Sequence, residues 1–316
     1  METRFSQTQS SAKRPGARFV FGLQLALGAC GLAAAVAAVG AAVGSVHRVN
    51  GGAPEIMIAS QRFTYPTVNV AAAVLLALAA VGAAVITIAL RASWRQLRDY
   101  RRFVRGIAVL GPLPGHPGIS VIDDPAPHAF CAGYLRPSIY VSTGALAVLS
   151  DDELAAVLVH EDHHRTLRDP LRLASSRILS QALFFLPALP SLRDRYSDLA
   201  EERADDAAVR AAGDTGPLAS ALLAFDAVAP RGTSGISPGR VDSLLGRPAG
   251  WQLPSSLVAF SLATLSVLTV LVWRASAAAS AHATFNLPVL SSQPCMLILA
   301  LVPILGYAVA ACRRGL

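Results

Sequence analysis

The sequence has 316 residues and a net charge of +7; 53% of the residues are hydrophobic and only 15% are charged. Soluble domains carry about 25% charged residues, so this composition excludes an ordinary soluble protein and predicts a polytopic membrane protein with one polar domain. The arginines lie beside apolar runs, which positive-inside topology explains better than direct nucleic-acid binding. The four cysteines form no C-x-x-C pair, which disfavours a disulfide framework or a cysteine zinc site.

The first third of the chain predicts two membrane crossings. Residues 1–18 form a polar, basic tail, and residues 19–46 are apolar over a length that suits a first transmembrane helix. Residues 47–67 form a short loop, and residues 68–90 form the second span. Basic clusters before the first span and after the second mark both ends as cytoplasmic and the loop as extracytoplasmic. The second cluster consists of Arg91, Arg95, Arg98, Arg101, Arg102 and Arg105.

Two further spans are predicted near the C-terminus, at residues 253–273 and 295–312. Residues 274–294 then form an extracytoplasmic loop, and residues 313–316 end the chain in the cytoplasm with two arginines. The intervening segment, 91–252, is a cytoplasmic domain. The predicted fold class is therefore mainly α, with about four transmembrane helices and a cytoplasmic α+β domain that contains a small β-sheet.

Residues 171–192 are apolar enough to suggest a fifth span. Their polar residues fall on one helical face, however, and Pro187 and Pro190 break the end of the segment. We predict an in-plane or re-entrant helix at the cytoplasmic leaflet. A true crossing is the alternative, and it would put the chain after residue 192 on the opposite side of the membrane.

The first span contains Gly40-x-x-x-Gly44, a spacing of small residues that permits close helix packing and a homodimer. An alanine-rich span also produces this spacing by chance, so both interpretations stay open.

Short runs of β-forming residues precede the main polar helix. Candidate strands lie at residues 119–122, 128–133 and 138–141. An edge strand of such a sheet can pair with an extended substrate backbone. Cys131 lies in the candidate edge strand, where a small buried residue is a simpler interpretation than a regulatory thiolate.

The motif His160-Glu161-x-x-His164 lies on the predicted main helix, which Ser150-x-x-Glu153 opens as a capping box. Histidines four residues apart project from one helical face, so both imidazoles can bind one zinc ion. Glu161 can act as the general base towards water rather than as a ligand. The motif alone also occurs by chance in surface helices.

Residues 198–212 predict a second helix, with Ser197 or Asp198 as its N-cap. Glu201 and Asp205 share one face of this helix, so one carboxylate can bind the metal while the other holds a ligand histidine. A plain charged helix is the alternative that spacing leaves open.

The region beginning at Pro127 resembles the membrane-embedded gluzincin peptidases. This group includes the HtpX and CAAX-prenyl-protease class and the BlaR/MecR-type β-lactam sensor-transducers. The matching stretches are 128–133, 136–142, 149–154, His160-Glu-Asp-His-His164, Asp169 and Glu201-Glu-Arg-Ala-Asp205.

The resemblance implies a zincin-like metallopeptidase fold and a bound Zn²⁺. It assigns His160, His164 and Glu201 as the metal ligands, Glu161 as the catalytic base, and Asp205 as the carboxylate that orients His160. Tyr134 and Arg203 are the two residues we consider as donors to the oxyanion.

The stretches Gly-Tyr-Leu-Arg-Pro and Arg-Asp-Pro, at 133–137 and 168–170, look more like the BlaR-type branch. Two departures stand against a full match. No penicillin-binding module with an S-x-x-K motif follows the last span, so direct β-lactam sensing is not expected. Acidic Asp162 also follows the base, although it should face away from the metal.

We therefore expect a multi-pass zinc endopeptidase of the inner (plasma) membrane, with its active site in the cytoplasm and the lipid bilayer as a partner. Its expected substrate is a protein, with a transcriptional repressor or another regulator as the first candidate. The alternatives are HtpX-like quality control of membrane proteins and a non-catalytic membrane adaptor that retains the zinc fold.

Overall fold

The computed structural model describes residues 16–44, 55–58, 61–64, 70–228 and 253–282. The chain divides into two compact units. One contains the chain up to Cys30 and the segment Thr87–Thr264, and the other contains Gly31–Ile86 and the segment from Leu265 onwards. The predicted fourth span, 295–312, and the predicted end, 313–316, lie outside the described residues, as does most of the predicted tail.

Three helices in the described part of the chain are long and apolar enough to cross a membrane. Helix α1 covers Ala17–Gly44, and α2 covers Val70–Gly106. Helix α8 covers Ser255–His282. These helices contain or overlap the three predicted spans of this region. Helix α2 continues past the predicted end of its span and includes the arginine cluster.

Small residues allow close packing within the second unit. The Ala35 carbonyl lies so near Gly82 that a Cβ atom there would be 2.6 Å from the oxygen. Leu75 is buried beside Ala275. The predicted loop 47–67 contains a two-stranded antiparallel sheet that the sequence did not predict, with β1 at Glu55–Ile58 and β2 at Gln61–Thr64.

The first unit contains a mixed four-stranded sheet with the order β3-β4-β6-β5. Its strands are β3 Val109–Leu113, β4 His116–Ile122, β5 Ala129–Ala132 and β6 Ser138–Ser142. Strands β4 and β6 are parallel, and the other two pairs are antiparallel. The three predicted strands are confirmed. Strand β3 was missed because it contains Gly111 and Pro112, and an edge strand tolerates proline where a central strand does not.

Five helices lie between the sheet and residue 228. They are α3 Thr143–Val148, α4 Asp151–Leu167, α5 Asp169–Ala182, α6 Ala188–Ala212 and α7 Gly216–Val228. The sheet core continues into α4 through Ile139, Val141 and Leu158, all buried. The sheet therefore supports one side of α4.

The predicted N-cap of the second helix is wrong. Helix α6 begins at Ala188, with Pro187 at its N-cap, rather than at Ser197 or Asp198. Prolines are accepted in the first turn of a helix, where the backbone N–H has no intrahelical partner, so Pro190 does not interrupt it. The segment 171–192 is consequently divided between α5 and α6, and neither helix is among the three membrane-span candidates of the described chain.

Replacing Gly144 with alanine should destabilise the first unit by about 1–3 kcal/mol, the usual cost of overpacking. A Cβ atom at this buried position would overlap the backbone of Pro125 and Ala126. Thermal unfolding of the purified protein in detergent measures the change. Gly106→Ala is the matched control because nothing lies within 4 Å of its new Cβ. Equal unfolding of the two variants would contradict the packing described here.

Candidate metal centre

Helix α4 carries the two motif histidines in its second half and begins at a well-defined N-cap. The Ser150 hydroxyl accepts a hydrogen bond from the Glu153 N–H, and the Glu153 carboxylate accepts one from the Ser150 N–H. The predicted capping box is thus confirmed. Ala156, Val157 and Leu158 are buried one turn before the motif, so the packed side of α4 fixes the direction in which the histidines point.

The imidazoles of His160 and His164 converge on one point. Their Nε2 atoms are 3.2 Å apart, and both side chains are buried. A spacing of four residues places the rings one above the other on the helix. The structure therefore turns the same nitrogen of each ring towards a common centre.

A carboxylate lies against the other nitrogen of each ring. Asp205 on α6 is 2.9 Å from His160 Nδ1, and Asp169 at the start of α5 is 3.0 Å from His164 Nδ1. The Tyr196 hydroxyl donates a 2.8 Å hydrogen bond to the second oxygen of Asp169. Because a carboxylate only accepts, each Nδ1 carries a hydrogen towards its carboxylate, which leaves Nε2 as the nitrogen that can bind a metal once it has lost its own proton.

Glu201 completes the group from α6. One of its carboxylate oxygens is 3.6 Å from His160 Nε2, and the other is 3.6 Å from His164 Nε2. Tetrahedral ligands at about 2.0–2.1 Å from zinc would be roughly 3.3 Å from one another. The observed separations of 3.2–3.6 Å therefore fit a metal held by two nitrogens and one carboxylate.

The electrostatic surroundings of this group favour a cation. Burial lowers the pKa of His160, but its contacts with Asp205 and Glu201 outweigh burial and raise the pKa to about 9. Burial raises the pKa of Asp169, yet its hydrogen bonds with His164 and Tyr196 bring the pKa below its usual value. Negative charge thus surrounds both imidazoles, as a divalent cation requires.

Residues 95–198 match the model of Peptidase family M48. The protease HtpX homolog of Streptococcus mutans serotype c (strain ATCC 700610 / UA159) is 34% identical over 71 residues, which cover 22% of this chain and 23% of that protein. The match thus spans less than a quarter of the relative's length, and no solved structure matches the chain significantly. Together with the apolar helices, these matches support a membrane protein of the metalloprotease class.

Within the M48-like segment, Glu161 stands next to the centre. It lines the same cavity as the three candidate ligands, and the backbone N–H of Cys131 donates a hydrogen bond to its carboxylate. Burial raises the pKa of Glu161, although the neighbouring histidines oppose this shift. A carboxylate of raised pKa takes up a proton more readily than an exposed one.

The candidate ligands open onto a cavity of about 740 Å³. Strand β5 forms one wall, and residues of α5 and α7, including Arg177 and Phe225, form others. Among the strands of the described residues, β5 is at the edge of the sheet and is paired with β6 alone. Of the two candidate oxyanion donors, Tyr134 is among the described lining residues, whereas Arg203 lies close enough to His163 to affect its pKa and is not among them.

Sequence reasoning missed two parts of the site. Asp169 was noted only as a matching residue, and its contact with His164 depends on Arg168, which has the left-handed φ of 54° between α4 and α5. Tyr196 lies in a part of α6 that was not predicted as helix. Glu202, also on α6, accepts a 2.9 Å hydrogen bond from buried Arg195.

Replacing Asp205 with asparagine should weaken metal binding about 10- to 100-fold, the usual effect of losing a partner of a ligand histidine. Competitive titration with a metal indicator measures the affinity. Asp206→Asn is the matched control because Asp206 is the next residue of α6 and is exposed. Equal affinities for the two variants would show that Asp205 has no such role.

Proposed function

We propose that this protein is a zinc-dependent endopeptidase embedded in a membrane. The observation that carries the proposal is the convergence of His160 Nε2, His164 Nε2 and the Glu201 carboxylate, with Glu161 facing the same cavity. Catalytic zinc sites commonly have three protein ligands and an open fourth position, and two histidines with one glutamate are such a set. A structural site with four protein ligands would leave Glu161 without a role.

Zinc, when bound here, supplies Lewis acidity that activates water and polarises a peptide carbonyl. Glu161 would accept the proton of the attacking water and then deliver it to the leaving amide nitrogen. Burial and the raised pKa of its carboxyl favour this proton uptake. The hydrogen bond from the Cys131 N–H holds the carboxylate in place for both transfers.

Strand β5 would bind the substrate as an added strand. Ser142 N–H donates to the His128 carbonyl, so in this antiparallel pair residues 128, 130 and 132 exchange hydrogen bonds with β6. The backbone groups of Ala129 and the carbonyl of Cys131 therefore turn away from β6 and are available to a substrate strand, while the Cys131 N–H is bonded to Glu161. An extended peptide paired there would pass beside Glu161 with its backbone fixed and its side chains alternating.

We further propose that the site faces the cytoplasm of a plasma membrane. The basic residues before α1 and in the second half of α2 support this orientation by the positive-inside rule.

The proposed substrate is a protein regulator, with a transcriptional repressor as the first candidate. The BlaR-like stretches at 133–137 and 168–170 support this proposal. Quality control of membrane proteins is the second candidate, and the matches to Peptidase family M48 and to an HtpX homolog favour it. Comparison of the proteomes of cells with active and inactive enzyme separates the two. A single stabilised soluble regulator supports the first, and a broad set of membrane proteins supports the second.

Replacing Glu161 with glutamine should leave the metal bound but lower peptide cleavage by about 10²- to 10⁴-fold, the usual contribution of a general base. Cleavage of a protein substrate by the reconstituted enzyme, together with metal analysis of the same sample, measures both quantities. Asp162→Asn serves as the control because Asp162 pairs with Arg165 on the outer side of α4. If E161Q retains full activity, the proposed base is wrong. If both the unsubstituted protein and the Asp162→Asn control fail to cleave any substrate, the adaptor alternative is favoured.

Zinc should be present at about one ion per chain, because one His-His-Glu group is found among the described residues. Elemental analysis of protein purified without added metal measures the content. Removal by a chelator should abolish cleavage, and added Zn²⁺ should restore it. If elemental analysis finds another metal and the protein is fully active in zinc-free buffer, that metal is the cofactor and the proposal of zinc is wrong.

A further inference from the structure

Helix α5 runs along α1 rather than across it. Three successive turns of α1 contact three successive turns of α5 in the same order. The pairs are Phe21 with Arg172, Gln24 with Ser176, and Gly28 with Leu179. A helix lying in the membrane plane would cross a membrane-spanning α1 at a steep angle and contact it over about one turn, so contacts spread over three turns favour an α5 that enters the bilayer beside α1.

The contact between the two helices satisfies polar groups inside an apolar environment. The amide nitrogen of Gln24 lies 3.3 Å from the Ser176 carbonyl and 3.4 Å from the Leu189 carbonyl, and its oxygen accepts a 2.8 Å hydrogen bond from the Ser176 hydroxyl. Gln24 and Ser176 are both fully buried. Polar side chains within membrane spans are expected to pair with one another in this way.

The chain then turns back at residues 183–187 and continues as α6. The Ala188 N–H, at the start of α6, donates a 3.2 Å hydrogen bond to the hydroxyl of Ser261, a buried residue of span candidate α8. Within the turn, Leu183 N–H bonds to the Leu179 carbonyl, and Leu186 N–H bonds to the Leu183 carbonyl. Internal bonding of this kind is what non-helical backbone needs at membrane depth.

The depth of the turn follows from its position along α1. A bilayer core takes about 20 helical residues, so a crossing by α1, which ends at Gly44, begins between residues 19 and 25. Leu179 is level with Gly28, and the turn lies one helical turn further along. Leu189, on the other side of the turn, is level with Gln24. At about 1.5 Å per residue, these two positions together place the turn roughly 5–20 Å inside the hydrocarbon.

The composition of the segment agrees with this depth. From residue 178 to residue 192 there is no charged residue, and the Phe184 ring is 64% exposed at the turn itself. Arg177 lines the cavity of the metal centre, as a polar side chain at membrane depth is expected to do. Gln181, one turn further along α5, is exposed.

We infer that α5, the turn and the first residues of α6 form a re-entrant hairpin, whose tip at residues 183–186 inserts into the hydrocarbon of the bilayer. The hairpin enters and leaves the bilayer on the same side of the membrane. In this arrangement Phe184 contacts lipid. It connects Asp169 to Glu201, so the third candidate ligand is positioned by a membrane-inserted element. This inference does not depend on peptidase activity.

Spin labels at single cysteines test the insertion. The four native cysteines are replaced by alanine in the full chain, Phe184→Cys is labelled, and the protein is reconstituted in liposomes. The collision rates with oxygen and with a water-soluble nickel complex then report depth. Val36→Cys, exposed on α1, is the hydrocarbon reference, and Leu135→Cys, exposed between β5 and β6, is the aqueous reference.

We expect the label at 184 to match the label at 36, with a higher ratio of oxygen to nickel collisions than at 135. A ratio like that at 135 would overturn the inference, as would exclusion of both reagents, which would indicate a protein partner at the tip. Phe185→Cys provides a second probe if the first variant yields no protein. Thermal unfolding in detergent at the temperature of the unlabelled parent confirms that each variant is folded.

Asp194→Cys separates a re-entrant hairpin from a crossing. Asp194 is exposed in α6, so a membrane-impermeant maleimide should label it from the same side of sealed vesicles as Leu135→Cys. Labelling of the two cysteines from opposite sides would overturn the inference.

Discussion

Two contacts between a carboxylate and an imidazole hold the candidate metal centre together. Asp205 lies against His160, and Asp169 lies against His164, which favours the ring orientations that point both Nε2 atoms at the centre. These contacts also join three helices, because the histidines lie on α4, Asp169 begins α5 and Asp205 lies on α6. The geometry of the centre and the packing of these helices therefore depend on the same atoms.

The hairpin between Asp169 and Glu201 determines how the third candidate ligand reaches the centre. Its two helices are attached to the first half of α1 and the first turns of α8 through Gln24 and Ser261. A displacement of either apolar helix in this unit would move α6 and, with it, the Glu201 carboxylate. The candidate centre is consequently sensitive to how the apolar helices are arranged, although no ligand comes from them.

Local features of the sequence predicted most of what surrounds the histidines. The capping box, the apolar periodicity and the spacing of the motif are all contained within one helix, so α4 could be predicted in isolation. The contact of Asp169 depends on the left-handed turn at Arg168, which no spacing rule predicts. Tyr196 was missed because Pro187 and Pro190 resemble helix breaks, whereas both occupy positions at the start of α6 that lack an intrahelical hydrogen bond in any case.

The pairing of a substrate with β5 that we propose has a consequence for the choice of substrate. An edge strand pairs only with extended backbone, so a helical or folded segment must first lose its own hydrogen bonds before it can lie along Ala129 and Cys131. The free energy of local unfolding then becomes part of the barrier to cleavage, and it varies from almost zero at frayed ends to the full stability of a core. Such a cleft would select its targets by how easily they open, and only secondarily by their sequence.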